Sequence, residues 1–211
     1  MKFKNAIVIT GGIATGKSLV CDILKSKNFK IIDADEISHQ ILSQMGAEIS
    51  QIFGSEFVKN GKVDRKKLGN LVFNDKSKLK ILENLLHPKI KAEILKTAIE
   101  LEKENKPYFV DIPLYFESKN YPEFYKVLLV FAPKNLALKR LMKRNNLTEN
   151  EALVRINSQL PVEKKQNLSN FIIDNSSNLD DLNAKIEAFL QNLKGIKWKY
   201  QNIAQVEMTL W

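Results

Sequence analysis

The chain has 211 residues, 44% of them hydrophobic and 27% charged, with 33 Lys+Arg against 24 Asp+Glu for a formal net charge of +9. That composition suits one domain with a sizeable buried core and excludes a disordered or collagen-like chain. Its single cysteine, Cys21, makes an internal disulfide impossible, and no apolar run approaches the roughly 18 residues of a spanning helix, so a reducing, cytoplasmic setting without a membrane partner is expected.

In chain order, AIVI (6–9) reads as a short buried strand, followed by a glycine-rich loop. SLVCDILKSK has helical spacing at Leu19, Ile23 and Leu24. FKIIDADEI (29–37) reads as a second strand that ends in acids. Residues 37–104 are helical in pattern: one helix in DEISHQILSQM, another in DRKKLGNLVF, and a long one from Ser77 to Lys103 with Pro88 inside it. FGSEFVKNGKVD carries turn signals between the first two. PYFVDIPLYF (107–116) and YKVLLVFAP (125–133) are expected strands. The basic stretch 134–165 reads as two helices with a turn near Asn145-Asn146, and FIIDNSS (171–177) as a last strand. LDDLNAKIEAFLQNL (179–193) is an amphipathic helix, and the tail from Lys197 to Trp211 is expected to dock on the core, with a contact between chains as the alternative.

Strands alternating with helices predict an α/β fold with a parallel sheet, and ligands in such sheets bind at the carboxyl ends of the strands. Those ends carry Gly11, Asp33 and Asp35, Pro113 and Pro133. Gly11-Gly12-Ile13-Ala14-Thr15-Gly16-Lys17-Ser18 fits G-x-x-x-x-G-K-[ST] in full. Glycines let successive N–H groups turn inward around an anion, and a helix start adds the positive end of its dipole. Lys17 should reach the β- and γ-phosphates and Ser18 should ligate Mg²⁺, so a nucleoside triphosphate is the expected ligand.

Downstream residues sort the possible chemistries. No guanine-reading N-K-x-D is present, L-S-G-G-Q is absent, and YFVDIPL ends Asp-Ile-Pro rather than in paired acids. A small-molecule kinase would need a base, an acceptor pocket and a basic lid. If the strand continues through DAD, Asp33 and Asp35 share a face and could both enter the cleft, although an acid at Asp35 would also suit a helix start. Arg140 and Arg144 stand four apart, a spacing that can clamp phosphate but more often marks a solvated face. Arg155 and Gln159 repeat that spacing. His87 and His39 carry no chemistry unaided, and Cys21 suits a buried thiol. The charge of +9 would also suit a nucleic-acid-stimulated ATPase, but no basic stripe interleaved with aromatics supports it. A non-catalytic nucleotide scaffold and a nucleoside monophosphate kinase are the other readings.

Together these segments resemble the dephospho-CoA kinase family along nearly the whole chain. TGGIATGKS is similar to its phosphate loop, IIDADEI to its acidic strand, and NGKVDRKKLGNLVF with LENLLHPKI to its helical acceptor region. DIPLYFE is similar to its D-x-P-L-L-F-E, LALKRLMKRNNLTENEALVRINSQ to its lid, and DNSS to its terminal D-N-S/N-G. The resemblance implies a P-loop kinase-type sheet with a core at 1–36, 89–137 and 166–211, a helical acceptor domain at 37–88 and a lid at 138–165. It implies ATP-dependent phosphorylation of the ribose 3′-hydroxyl of dephospho-CoA, the last step of coenzyme A synthesis, with Mg²⁺. Asp35 would be the base, with Lys17 and Arg140 catalytic. Gly11 through Ser18 and Arg144 would bind ATP. Asp33, Arg65, His87, Leu114 and Glu117 would face the acceptor. The implied partners are small molecules rather than nucleic acid, and the implied state is a monomer or weak oligomer. Departures from the family pattern are His39 in place of arginine, Tyr115 in place of leucine, Ala14-Thr15 in place of a commoner small pair, and Ser177 in place of glycine.

Overall fold

The computed structural model describes residues 2–208, with side chains as far as Leu193. A first strand, β1 (Ala6–Gly11), is buried along its whole length and leads through the glycine loop into α1 (Lys17–Ser26). Next come β2 (Ile31–Asp33), α2 (Ala34–Gln44) and α3 (Gly46–Phe53). A 3₁₀ turn and a hairpin of β3 (Val58–Lys59) and β4 (Lys62–Val63) follow. Its turn residues Asn60 and Gly61 have φ of 52° and 75°, the left-handed pair that a tight hairpin demands. The insertion ends with α4 (Arg65–Asn74) and α5 (Lys76–Lys103).

The chain then returns to the sheet with β5 (Tyr108–Asp111), α6 (Tyr115–Ser118) and β6 (Val127–Phe131). Three helices come next, α7 (Lys134–Asn145), α8 (Glu149–Asn157) and α9 (Val162–Leu168), before β7 (Phe171–Asp174) and α10 (Leu179–Met208). The sheet order is β2-β5-β1-β6-β7 and every pairing is parallel. Asp111 pairs with Ile9 on one side and Asp33 on the other, which levels three strand ends beside the glycine loop.

Alternation along β1 divides the core. Ala6 and Val8 pack with Ile32 and Val110 against Ile49, Leu68, Ile90 and Ile94 of the helical insertion. Ile7 and Ile9 pack with Phe109 against Val20 and Leu24 of α1 and Leu182 and Ile186 of α10. A parallel sheet covered on both faces explains why its strands read as unbroken apolar runs. The insertion therefore shares one core with the sheet. The expected boundary at residue 88 falls within the unbroken α5, whose buried Leu82, Leu86, Ile90 and Ile94 recur every four residues while Pro88 lies on the exposed side.

Four expectations need correction. The second strand stops at Asp33, because the Asp33 carboxylate accepts the Glu36 N–H at 3.0 Å and starts α2 there. Asp33 and Asp35 thus share no strand face. The strand expected over 107–116 ends at Asp111. Pro113 has no N–H to continue a ladder, and the chain turns into α6. The basic stretch folds as three helices rather than two. The turn at Asn146 is present, with φ of 50°, and Thr148 with Glu151 forms a capping box for α8. Gln159 lies past the end of α8, so its spacing from Arg155 describes no helix face. The expected docking of 197–211 lies outside the residues whose side chains are described.

Candidate active site

The glycine loop is braced from below by a segment far away in sequence. Asn175, 5% exposed, donates its side-chain N–H to the Thr15 carbonyl at 2.9 Å and its backbone N–H to the Phe131 carbonyl at 2.8 Å. Gly16 has φ of 95°, and a Cβ there would stand 2.1 Å from Asn175 Nδ2. Thr15 turns its side chain beneath the loop and donates to the Gly12 carbonyl at 2.9 Å. These contacts hold the loop curved before any anion arrives.

Lys17 opens α1 and donates to both carboxylate oxygens of Asp111, at 2.5 and 2.6 Å. Burial pushes the Asp111 carboxyl upward, and the Lys17 charge pulls it back. The Cys21 thiol sits 3.5 Å from Asp111 Oδ2 and is pushed well up by burial and by that carboxylate. Asp111 was missed as a site residue. Its signal was legible, an acid closing an apolar strand, but only the sheet order shows that this strand adjoins β1.

A cavity of about 780 Å³ opens above the loop. Gly11 to Ala14 and Gly16 to Ser18 form its floor, Asp35 enters from the first turn of α2, and Arg140, Lys143 and Arg144 reach in from α7. The expected base and both expected arginines are therefore brought to the phosphate loop. Arg140 Nη1 is buried with no hydrogen-bond partner among the described residues, whereas Arg144 Nε donates to Asn145 at 2.9 Å. A buried guanidinium N–H without a protein acceptor is costly, and an anion is the chemistry that satisfies it. Lys143 and Gln159 join the lining without having been expected there. Thr15 and Asp33 do not line it: Thr15 is 2% exposed, and Asp33 caps α2.

A second cleft of about 900 Å³ gathers His87 of α5 with Leu114 and Glu117, together with Lys80 and Lys91. Pro113 lines the first cavity and Leu114 the second, so the two meet at this turn. One Glu117 oxygen is already engaged, by Lys165 at 2.7 Å and by the Leu160 N–H at 3.0 Å. Arg65 is exposed at the start of α4 and lines neither cleft.

With this geometry established, similarity to known proteins identifies the family. The family model described as Dephospho-CoA kinase matches residues 5–181. The chain belongs to the dephospho-CoA kinase family. A curated dephospho-CoA kinase of Helicobacter pylori strain J99 is 48% identical over 195 residues, covering 92% of this chain and 100% of the relative. The solved dephospho-CoA kinase from Campylobacter jejuni is 43% identical and superposes with a TM-score of 0.75, covering 92% of this chain and 99% of that one. The crystal structure of TT1252 from Thermus thermophilus is 33% identical, with a TM-score of 0.75 over 91% of this chain and 99% of that one. Among the departures from the family pattern, His39 is exposed on α2 and lines neither cleft. Tyr115 donates its hydroxyl to the Phe124 carbonyl at 2.7 Å and fills a structural place.

Proposed function

We propose that this chain transfers the γ-phosphoryl group of ATP to the 3′-hydroxyl of the ribose of dephospho-CoA, giving coenzyme A. One observation carries the reading: Asp35 and the unpartnered N–H of Arg140 line the same cavity as a complete phosphate loop. The loop amides and Lys17 bind the phosphates. Asp35, exposed at the mouth of the cavity, takes the proton from the attacking hydroxyl. Arg140 meets charge that develops on the transferred group, and Arg144 stands four residues further along the same helix. His87, Leu114 and Glu117 mark where the rest of the acceptor extends, next to the turn at Pro113. Closure of α7 and α8 over the loop would exclude water that would otherwise take the phosphoryl group.

Among the described residues, no three His, Cys, Asp or Glu side chains gather as a metal cage. The Ser18 hydroxyl and the Asp111 carboxylate are oxygen donors beside the phosphate loop, of the kind that would hold a hard cation such as Mg²⁺. When bound, Mg²⁺ would neutralise phosphate charge. Lys17 would then turn from Asp111 towards the phosphates. No helix among the described residues is long and apolar enough to cross a membrane.

The test is ADP release coupled to acceptor, comparing dephospho-CoA with AMP, adenosine and single-stranded DNA. Turnover with dephospho-CoA alone, giving a product phosphorylated at the 3′ position, is expected. Equal turnover with AMP would make the protein a nucleoside monophosphate kinase. Stimulation by DNA with a steep salt slope would make it a nucleic-acid-dependent ATPase.

A further inference from the structure

The strap that leads out of the lid, residues 158–165, passes beside the phosphate loop and is fastened there by polar contacts. Gln159 Oε1 accepts the Ile13 N–H at 2.9 Å, and Glu117 Oε1 accepts the Leu160 N–H at 3.0 Å. Lys165 Nζ lies 2.7 Å from that same Glu117 oxygen, with its side chain 0% exposed. It also approaches the Gly11 carbonyl at 3.5 Å, a charge–dipole approach more than a short hydrogen bond.

A fully buried ammonium is poorly explained by stability, because a buried ion pair is commonly matched or bettered by apolar residues of similar size. Its position offers a reason. Gly11 and Gly12 form the first peptide of the loop, and neither has a side chain to fix its orientation. That peptide is planar and trans, so its C=O and N–H point in opposite directions. A cation under the Gly11 carbonyl therefore aims the Gly12 N–H the other way, towards the cavity that both glycines line.

We propose that Lys165 is a positioning residue for phosphoryl transfer, its ammonium held by Glu117 so as to orient the first peptide of the phosphate loop. Glu117 also lines the second cleft, so the pair joins that cleft, the lid strap and the loop. The effect on turnover rests on the kinase reading above. The effect on nucleotide affinity does not, since it needs no acceptor.

The test compares the wild type with Lys165→Met and with the double variant Lys165→Met/Glu117→Gln. The single change strands a buried carboxylate and can unfold the protein. The double change removes both charges and keeps an acceptor for the Leu160 N–H. In the folded double variant, ATP affinity measured by calorimetry should weaken about tenfold, as on loss of other supporting partners. Its kcat should fall about 10²-fold, as for a misplaced reacting group. Loss of folded protein alone would lower apparent kcat without moving ATP affinity. A double variant with wild-type ATP affinity overturns the proposal, even if the wild type fails to phosphorylate dephospho-CoA and the kinase reading falls with it. A crystal structure of the wild type with a non-hydrolysable ATP analogue decides without any variant. The Gly12 N–H should meet a phosphate oxygen with Lys165 still beneath the Gly11 carbonyl. A Gly12 N–H turned away from the phosphates overturns the proposal.

Discussion

Gly16→Ala probes how the loop is preset. The substitution places a Cβ at φ of 95° and 2.1 Å from Asn175 Nδ2. The left-handed backbone alone costs about 1–2 kcal/mol for a residue with a Cβ. The clash then drives Asn175 away from the Thr15 carbonyl, and a buried carbonyl left without its donor costs about 1–3 kcal/mol more. Asn175→Ala removes the same bond directly, at about 1–3 kcal/mol, and leaves room for the new methyl group. The double variant loses that bond only once. Its destabilisation in urea titrations should therefore fall short of the sum of the single changes by about 1–3 kcal/mol. Both single variants should also bind ATP more weakly, because the loop they loosen is the phosphate cradle. Additivity within about 0.5 kcal/mol would refute the account, since it would mean that Gly16 and Asn175 share no contact energy.

Three further outcomes follow from the site. Asp35→Asn should lower kcat by about 10²–10⁴-fold with little change in ATP affinity, and near-normal kcat would remove Asp35 from the role of base. Arg140→Ala should lower kcat by about 10²–10³-fold, more than it weakens ATP binding, without lowering the melting temperature of the free protein, where the buried N–H has no partner to lose. A variant that loses only ATP affinity would show that Arg140 holds the ground state. The Cys21 thiol is held protonated by burial and by Asp111, whereas an unfolded chain ionises near the usual value of about 8.5. The native state then retains a proton that the unfolded state releases, so this contribution is intact below about pH 8.5 and diminishes as pH rises beyond it. Urea midpoints at pH 8 and 9.5 should show a drop that shrinks in Cys21→Ala, and an equal drop in both proteins would discount the thiol.

Local features were legible because their causes are local. The glycine and lysine pattern needs a strand before it and a helix after it, and both are supplied by neighbouring residues. Pro88 did not hide α5, since apolar residues every four positions carried the helix through it, although the boundary expected there falls inside that helix. Asp33 and Asp35 show where local reading has a limit. Strand alternation and helix capping compete for the same three residues, and a single hydrogen bond from Glu36 settles it for the helix. Asp35 still reaches the cavity, but from a helical turn.

What the order of residues determined by itself was the phosphate cradle, the alternation of strands and helices, and the helical character of the insertion and lid, because periodicity and turn chemistry act over a few residues. Only the tertiary structure decided that Asp111 meets Lys17 across 94 positions, that Asn175 braces Thr15 across 160, and that Lys165 is a buried ion beneath Gly11 across 154 rather than another surface lysine. Those partners are chosen by sheet order and by the return path of the lid. A charge becomes informative only when burial removes water as its alternative partner, and burial is a property of the assembled fold.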